Sequence, residues 1–359
     1  MRRVRSAPAG AGALMLLLTA CAASPTAPVV APFDAPPRQG ARYVGALPGG
    51  TTGTEDDVTP ATVDSFEAAS GLRLDWVYVS DNWFSDRDFP TDTARWIADR
   101  GALLYVRIML RSSLELDVDE PVFTLDAIVA GEFDADLAAW GRDAAAHGGP
   151  LLAEYGTEVN GDWFDWSPAR NGAGRTDGYG DPALPDGAER FRDAYRHIVE
   201  VTRAAGATNV TWVYHVAADD RPAEPWNALE LSYPGPQWVG WFGISAYGAT
   251  LADEECEPLA DQLDRVVPRL AALAPAAPIV VAEFGTSGTA RRCDAGAWTA
   301  DALAALASSR WPGLVGYAWW NEDWDNEPPE PPTRMRLESV PEVARAFRER
   351  AAGRGRGGP

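Results

Sequence analysis

The sequence predicts a single (β/α)8 barrel, on three observations. From residue 41 onward, short β-rich apolar runs alternate with amphipathic helical runs. Eight such strands can be counted, the number that closes a barrel. Several helical runs end at glycine (Gly71, Gly101, Gly148, Gly206), as helix C-termini prefer. A doubly wound sheet accepts the same alternation, but no composition break marks a second domain.

In chain order the predicted strands are Tyr43–Ala46, Leu74–Val79, Leu103–Ile108, Leu151–Glu158, Val210–His215, Val239–Tyr247, Ile279–Glu283 and Leu314–Trp320. Between them, apolar residues at three- and four-residue spacing predict helices over Thr62–Ala69, Asp92–Asp99, Phe133–His147, Glu189–Ala205, Leu259–Leu273, Ala295–Ser308 and Pro341–Ala351. The expected domain is residues 41–350, followed by a frayed, disordered tail at 351–359.

Ahead of the domain, Arg2, Arg3 and Arg5 precede a short apolar core from Ala11 to Ala20, the pattern of an export signal over residues 1–20. Leu18-Thr19-Ala20-Cys21 is similar to a bacterial lipobox, which makes Cys21 the candidate lipidated residue. A plain signal peptide cut near Ala20 or Ala23, or an uncleaved anchor, is the alternative. Residues 21–40, rich in Ala and Pro, suit an extended tether. The expected location is therefore outside the cytoplasm, lipid-anchored at the outer face of a bacterial membrane or secreted. Using Cys21 for lipid leaves Cys256 and Cys293, which should be oxidised there. Closing that loop would contribute about 4 kcal/mol. Two unrelated thiols are the alternative reading.

The 359 residues carry a formal charge of −21, and every basic residue is Arg. Such a chain repels phosphate backbones, which argues against nucleic-acid binding. The three His lie far apart without HExxH spacing, and no CxxC or phosphate-cradling glycine motif is present. Nothing calls for a metal or organic cofactor, and a monomer is the default. What remains for chemistry is carboxylates.

In a barrel, chemistry sits at the C-terminal strand ends and the loops after them. Those loops hold Trp83, Trp163, Trp166 and Trp324 beside amides and carboxylates such as Asn160. An aromatic face flanked by such groups complements the C–H faces and hydroxyl rim of a sugar. Packing into the core is the other fate of each Trp. Two strand ends add a Glu beside Gly: Thr157-Glu158-Val159-Asn160-Gly161 and Ala282-Glu283-Phe284-Gly285. Paired carboxylates at one mouth are what retaining glycoside hydrolysis needs. His215 on the fifth strand is either a cleft residue or a satisfied structural His. Arg107 either meets sugar hydroxyls or pairs with a barrel carboxylate.

The segment Thr157–Trp166, with Tyr233-Pro234-Gly235, Trp241–Gly248, Ala282–Gly285 and Trp319-Trp320-Asn321 in order, resembles glycoside hydrolase family 26, the β-mannanases and relatives of the retaining (β/α)8 clan. The resemblance implies Glu158 as acid/base and Glu283 as nucleophile. It further implies that Tyr247 hydrogen-bonds the nucleophile and that Trp163 and Trp319, rather than Trp320, line the site. Three positions depart from the pattern of many family mannanases: Thr157 stands in place of His, Glu154 of Arg, and Ser245 of an acidic residue. Glu154, expected on the same side as Glu158, should raise its pKa by repulsion. The implied function is a retaining endo-β-glycanase on neutral β-linked polysaccharide, with mannan or glucomannan ahead of mixed-linkage β-glucan and β-xylan. A glycan-binding lipoprotein without catalysis is the alternative from a different class.

Overall fold

The structure is a computed structural model that describes residues 43–116 and 118–356. Eight parallel strands close in chain order: β1 (Tyr43–Leu47), β2 (Trp76–Asn82), β3 (Leu103–Met109), β4 (Leu151–Tyr155), β5 (Val210–Ala217), β6 (Trp241–Tyr247), β7 (Ile279–Gly285) and β8 (Leu314–Trp320), with β8 pairing back onto β1. Nearly every strand residue is buried, as expected for strands covered on both faces. The barrel predicted from the alternation is therefore the fold. The signal, the tether, Cys21 and residues 357–359 lie outside the described residues. No helix among the described residues is long and apolar enough to cross a membrane.

The helices are α1 (Pro60–Ser70), α2 (Thr91–Asp99), α3 (Leu125–Val129), α4 (Asp134–His147), α5 (Asp186–Ala204), α6 (Leu229–Ser232), α7 (Leu259–Leu273), α8 (Ala295–Ala307) and α9 (Pro341–Arg356). Local chemistry sets their ends. Thr59 and Thr62 form a reciprocal capping box at the start of α1, and Gly71 closes it at φ 71°. Three features escape the periodicity. The β5–β6 connection holds only a short turn of helix, α6. The extra helix α3 precedes α4. The loop after β8 folds into a hairpin of two-residue strands, β9 (Asp323–Trp324) and β10 (Thr333–Arg334). Elements of two to five residues are too short to show a period. Helix α9 also runs to Arg356, into the stretch expected to fray.

The barrel interior is filled in tiers. At its base Trp76 occupies the space that two glycines leave: a Cβ on Gly45 would lie 2.0 Å from its Nε1, and one on Gly316 2.5 Å from its Cη2. Above it the register places Tyr78 beside Tyr105, Ser80 beside Arg107, and Arg107 beside Glu154. Side chains alternate across a strand, so these inward residues fix which neighbours face out.

Candidate active site

Glu283 lies within β7 and is 4% exposed. The pleat turns its carboxyl inward, opposite Ser245 of β6. Tyr247 donates to Oε2 at 2.8 Å, while Tyr78 (3.4 Å) and Arg107 Nη1 (3.3 Å) approach Oε1. Arg107 is itself held by Glu55 and Ser80, and its guanidinium lies 4.8 Å from the centre of the Trp320 ring. Burial pushes the Glu283 carboxyl up, to about 7. Arg107 works against that shift, and the nearby Glu158 adds to it. Burial and the Glu283 charge push the Tyr247 hydroxyl up as well, so it stays protonated and donates.

Glu158 has a different setting. Strand β4 ends at Tyr155, not at Glu158 as the sequence predicts, because Gly156 (φ 74°) and then Glu158 itself (φ 51°) turn left-handed. A non-glycine residue in that region is strained and persists only where its surroundings hold it. Here Trp163 does so: its Nε1 donates to Glu158 Oε2 at 2.7 Å. Gly161 lets the indole lie against the backbone, since a Cβ there would be 2.4 Å from the ring. A cleft of about 580 Å³ opens beside Trp163 and Tyr247, walled in part by Asp219, Arg221, Glu254 and Glu257.

Several predicted sugar contacts are elsewhere. Trp319 pairs in register with Phe284, which must face out because Glu283 faces in. Trp319 is 0% exposed, packs edge-on against Phe284 and Phe347, and bonds the Met335 carbonyl. Trp320, assigned to the core from the family pattern, is the residue that turns inward against Arg107 and Tyr78. Trp166 is buried on Phe164, with its Nε1 on the Thr157 carbonyl. Trp83 is buried against Phe123. Asn160 is spent on β5: it accepts from Ala217 N–H and donates to Ala217, Asp219 and Asp220 oxygens. Trp324, on the hairpin, stays open to solvent. Loop aromatics beside polar residues thus mostly clamp the loops rather than line the cleft.

His215 is fully buried with Glu154 beneath the mouth. Its Nδ1 lies 3.0 Å from both Glu154 oxygens, and its Nε2 lies 2.8 Å from Ser245 Oγ. Tyr78, Tyr105 and Thr157 also donate to Glu154, at 2.5, 2.5 and 2.6 Å. Despite its burial, His215 and these hydroxyls hold the Glu154 carboxyl down, and Glu154 lifts His215. The Glu154 charge is therefore met within the buried pair by His215. Glu154, His215 and Glu283 bring ligand-type atoms within 4.8 Å of one another, but both ring nitrogens of His215 are engaged and Arg107 already supplies a cation. The set does not read as a metal centre. Cys256 and Cys293 are bonded, Cα atoms 5.1 Å apart, joining the loops after β6 and β7.

Sequence reasoning missed Tyr78, Tyr105 and Glu55, and left Arg107 open. Inward alternation on β2 and β3 was the available signal; Glu55, on a loop with φ 65°, gave none.

With this geometry in place, comparison with known proteins is informative. The model of glycosyl hydrolase family 26 matches residues 125–285, the stretch that carries both Glu158 and Glu283. That stretch is similar to glycosyl hydrolase family 26. The chain is 26% identical over 305 residues to Endoglucanase H of Acetivibrio thermocellus, covering 83% of this chain. The match spans only 30% of that longer relative. The fold is shared with the catalytic domain of the Bacillus sp. JAMB-750 family 26 endo-β-1,4-mannanase (TM-score 0.61, 16% identity, 88% of this chain and 86% of that one). It is also shared with the Cellulomonas fimi endo-β-1,4-mannanase (TM-score 0.59, 19% identity, 87% and 70%). Glu158 and Glu283 of the matched stretch lie at one barrel mouth.

Proposed function

We propose that this protein is a glycoside hydrolase of family 26, a retaining endo-β-glycanase acting by double displacement. The observation that carries the reading is the asymmetry of the two carboxyls. Glu283 is buried among Tyr247, Tyr78 and Arg107, all of which favour its ionised form, whereas Glu158 meets one indole N–H beside the open cleft. Glu158, the more open of the two, is the carboxyl within reach of a leaving oxygen.

Glu283 attacks the anomeric carbon while Glu158 protonates the departing glycosidic oxygen, leaving a glycosyl ester on Glu283. Glu158, now a carboxylate, takes a proton from water as that water attacks the same carbon, which frees Glu283.

The family resemblance favours mannan and glucomannan. Two observations favour mixed-linkage β-glucan instead, and we adopt that reading. The sequence relative is named an endoglucanase. The positions where many family mannanases carry Arg and His hold Glu154 and Thr157, both committed to the buried His215 network. Acidic groups along the cleft suit a neutral polymer. The Cys256–Cys293 bond supports action outside the cytoplasm.

The test is a reducing-end assay on barley β-glucan, glucomannan, galactomannan and xylan, with Glu158→Ala and Glu283→Ala alongside. Cleavage of β-glucan, lost in both variants, is expected. Preference for galactomannan would restore the mannanase reading. Glycan retention without cleavage would instead make the protein a binder.

A further inference from the structure

We propose that Glu154 and His215 form a positioning pair beneath the Glu283 carboxylate, with the imidazole ring as a buried cation that Glu154 holds in place. This rests on Glu283 being the nucleophile, as proposed above.

Three geometric facts carry it. First, Nδ1 of His215 faces only the two oxygens of Glu154, at 3.0 Å each, so that nitrogen must bear a proton. Its Nε2 meets Ser245 Oγ, which can accept a second. Second, Glu154 takes donors from three other side chains (Tyr78, Tyr105 and Thr157) and is 0% exposed. A carboxylate so satisfied stays ionised, and its charge must be met by a buried cation. Third, Tyr78 touches both systems: its hydroxyl lies 2.5 Å from Glu154 and 3.4 Å from Glu283. The ligand-type atoms of Glu154, His215 and Glu283 lie within 4.8 Å of one another, so the state of the pair is felt at the nucleophile.

The groups facing this cluster come from every side of the barrel. Arg107 and Tyr105 project from β3, Tyr78 from β2, Ser245 and Tyr247 from β6. Glu158 and Thr157 follow β4, and Glu55 follows β1. Tyr195 of α5 lies behind Glu154. Among them the cations are Arg107 and His215. Arg107 is shared between Glu55 and Glu283, which leaves His215 alone to balance Glu154. With the pair intact the ground beneath Glu283 is close to neutral. Without the imidazolium, Glu154 becomes a second negative charge beside the nucleophile and makes its ionisation harder. Removing both partners returns the region to neutrality.

The test uses His215→Gln, Glu154→Gln and the double variant, with Glu283→Ala as reference, on the substrate the wild type cleaves. The acid limb of kcat/KM for His215→Gln is expected to move up by about one pH unit, with about tenfold lower activity near pH 5.5. The double variant should bring the limb back towards the wild-type position. An unmoved limb in His215→Gln, or additive losses in the double variant, would overturn the proposal.

A second readout needs neither variant nor substrate. With three His in the chain, ring ¹⁵N spectra of histidine-labelled protein should show His215 carrying both ring protons at pH 7. A neutral ring at that pH also sinks the idea, and this measurement stands even if a variant fails to fold. Activity surviving in Glu283→Ala would remove the nucleophile assignment while leaving the charge state of His215 to be read separately.

Discussion

The lips of β4 and β7 each present one glutamate, and the two are held in opposite ways. Glu283 sits within a strand, 4% exposed, its position fixed by the pleat and by donors on β2, β3 and β6. Glu158 sits past the end of its strand at φ 51°, half-buried, held by one N–H from its own loop. The same side chain is thus built once as a fixed group and once as an adjustable one. Fixing suits attack on carbon, which demands a stable line of approach. An open, lightly held carboxyl suits a group that must give a proton to one oxygen and take one from another.

The largest test of this contrast removes each carboxyl in turn. Glu283→Ala should lose about 10⁴-fold or more in kcat on polysaccharide, whereas Glu158→Ala should lose about 10²–10⁴-fold. With an aryl glycoside whose leaving group needs no proton, Glu158→Ala should recover the first step, and added azide should yield the β-glycosyl azide. Product of the opposite anomeric configuration would break the assigned roles.

Next in size is Trp319 against Trp320. Trp319→Ala should cost about 3–5 kcal/mol of stability, read by denaturant unfolding, with KM little changed. Trp320→Ala should raise KM instead; the reverse result would return Trp319 to the cleft. Tyr247→Phe removes a hydrogen bond to a charged group, worth about 1.5–3 kcal/mol. Its kcat/KM should fall about tenfold to a hundredfold, with Tm near the wild-type value.

The smallest effect concerns the loop that follows Glu158. Burial and then Glu120 push the Asp165 carboxyl up, to about 7. Its folded-state value lies above the unfolded one, so the folded protein binds the extra proton. Stability from this site is therefore lost as pH rises from about 4 to about 7 and is flat beyond. Asp165→Asn should flatten the fall in Tm over that window; an unchanged slope would place the titration elsewhere.

The barrel and both glutamates were legible because each leaves a local mark: apolar runs for buried parallel strands, and Glu beside Gly at a strand end. Which of Trp319 and Trp320 faces inward was not legible: the pairing of β8 with the strand of Glu283 decides it, across a register shift, and the family pattern pointed one residue away. The roles of Trp83, Trp166 and Asn160 were not legible either. Whether a loop aromatic meets a sugar or a neighbouring ring depends on contacts such as Trp166 on Phe164, which no spacing encodes. The departures at 154 and 157 were visible singly. That they bond each other, with His215 closing the set, is a tertiary fact.

The bond between Cys256 and Cys293 turns the stretch between them into a covalent ring, and that ring contains α7 and the whole of β7. A protease that nicks a loop inside it opens a bracelet rather than releasing a fragment. The strand bearing Glu283 stays tied to its neighbours at both sulfurs, so a singly cut chain would still run as one species until it is reduced.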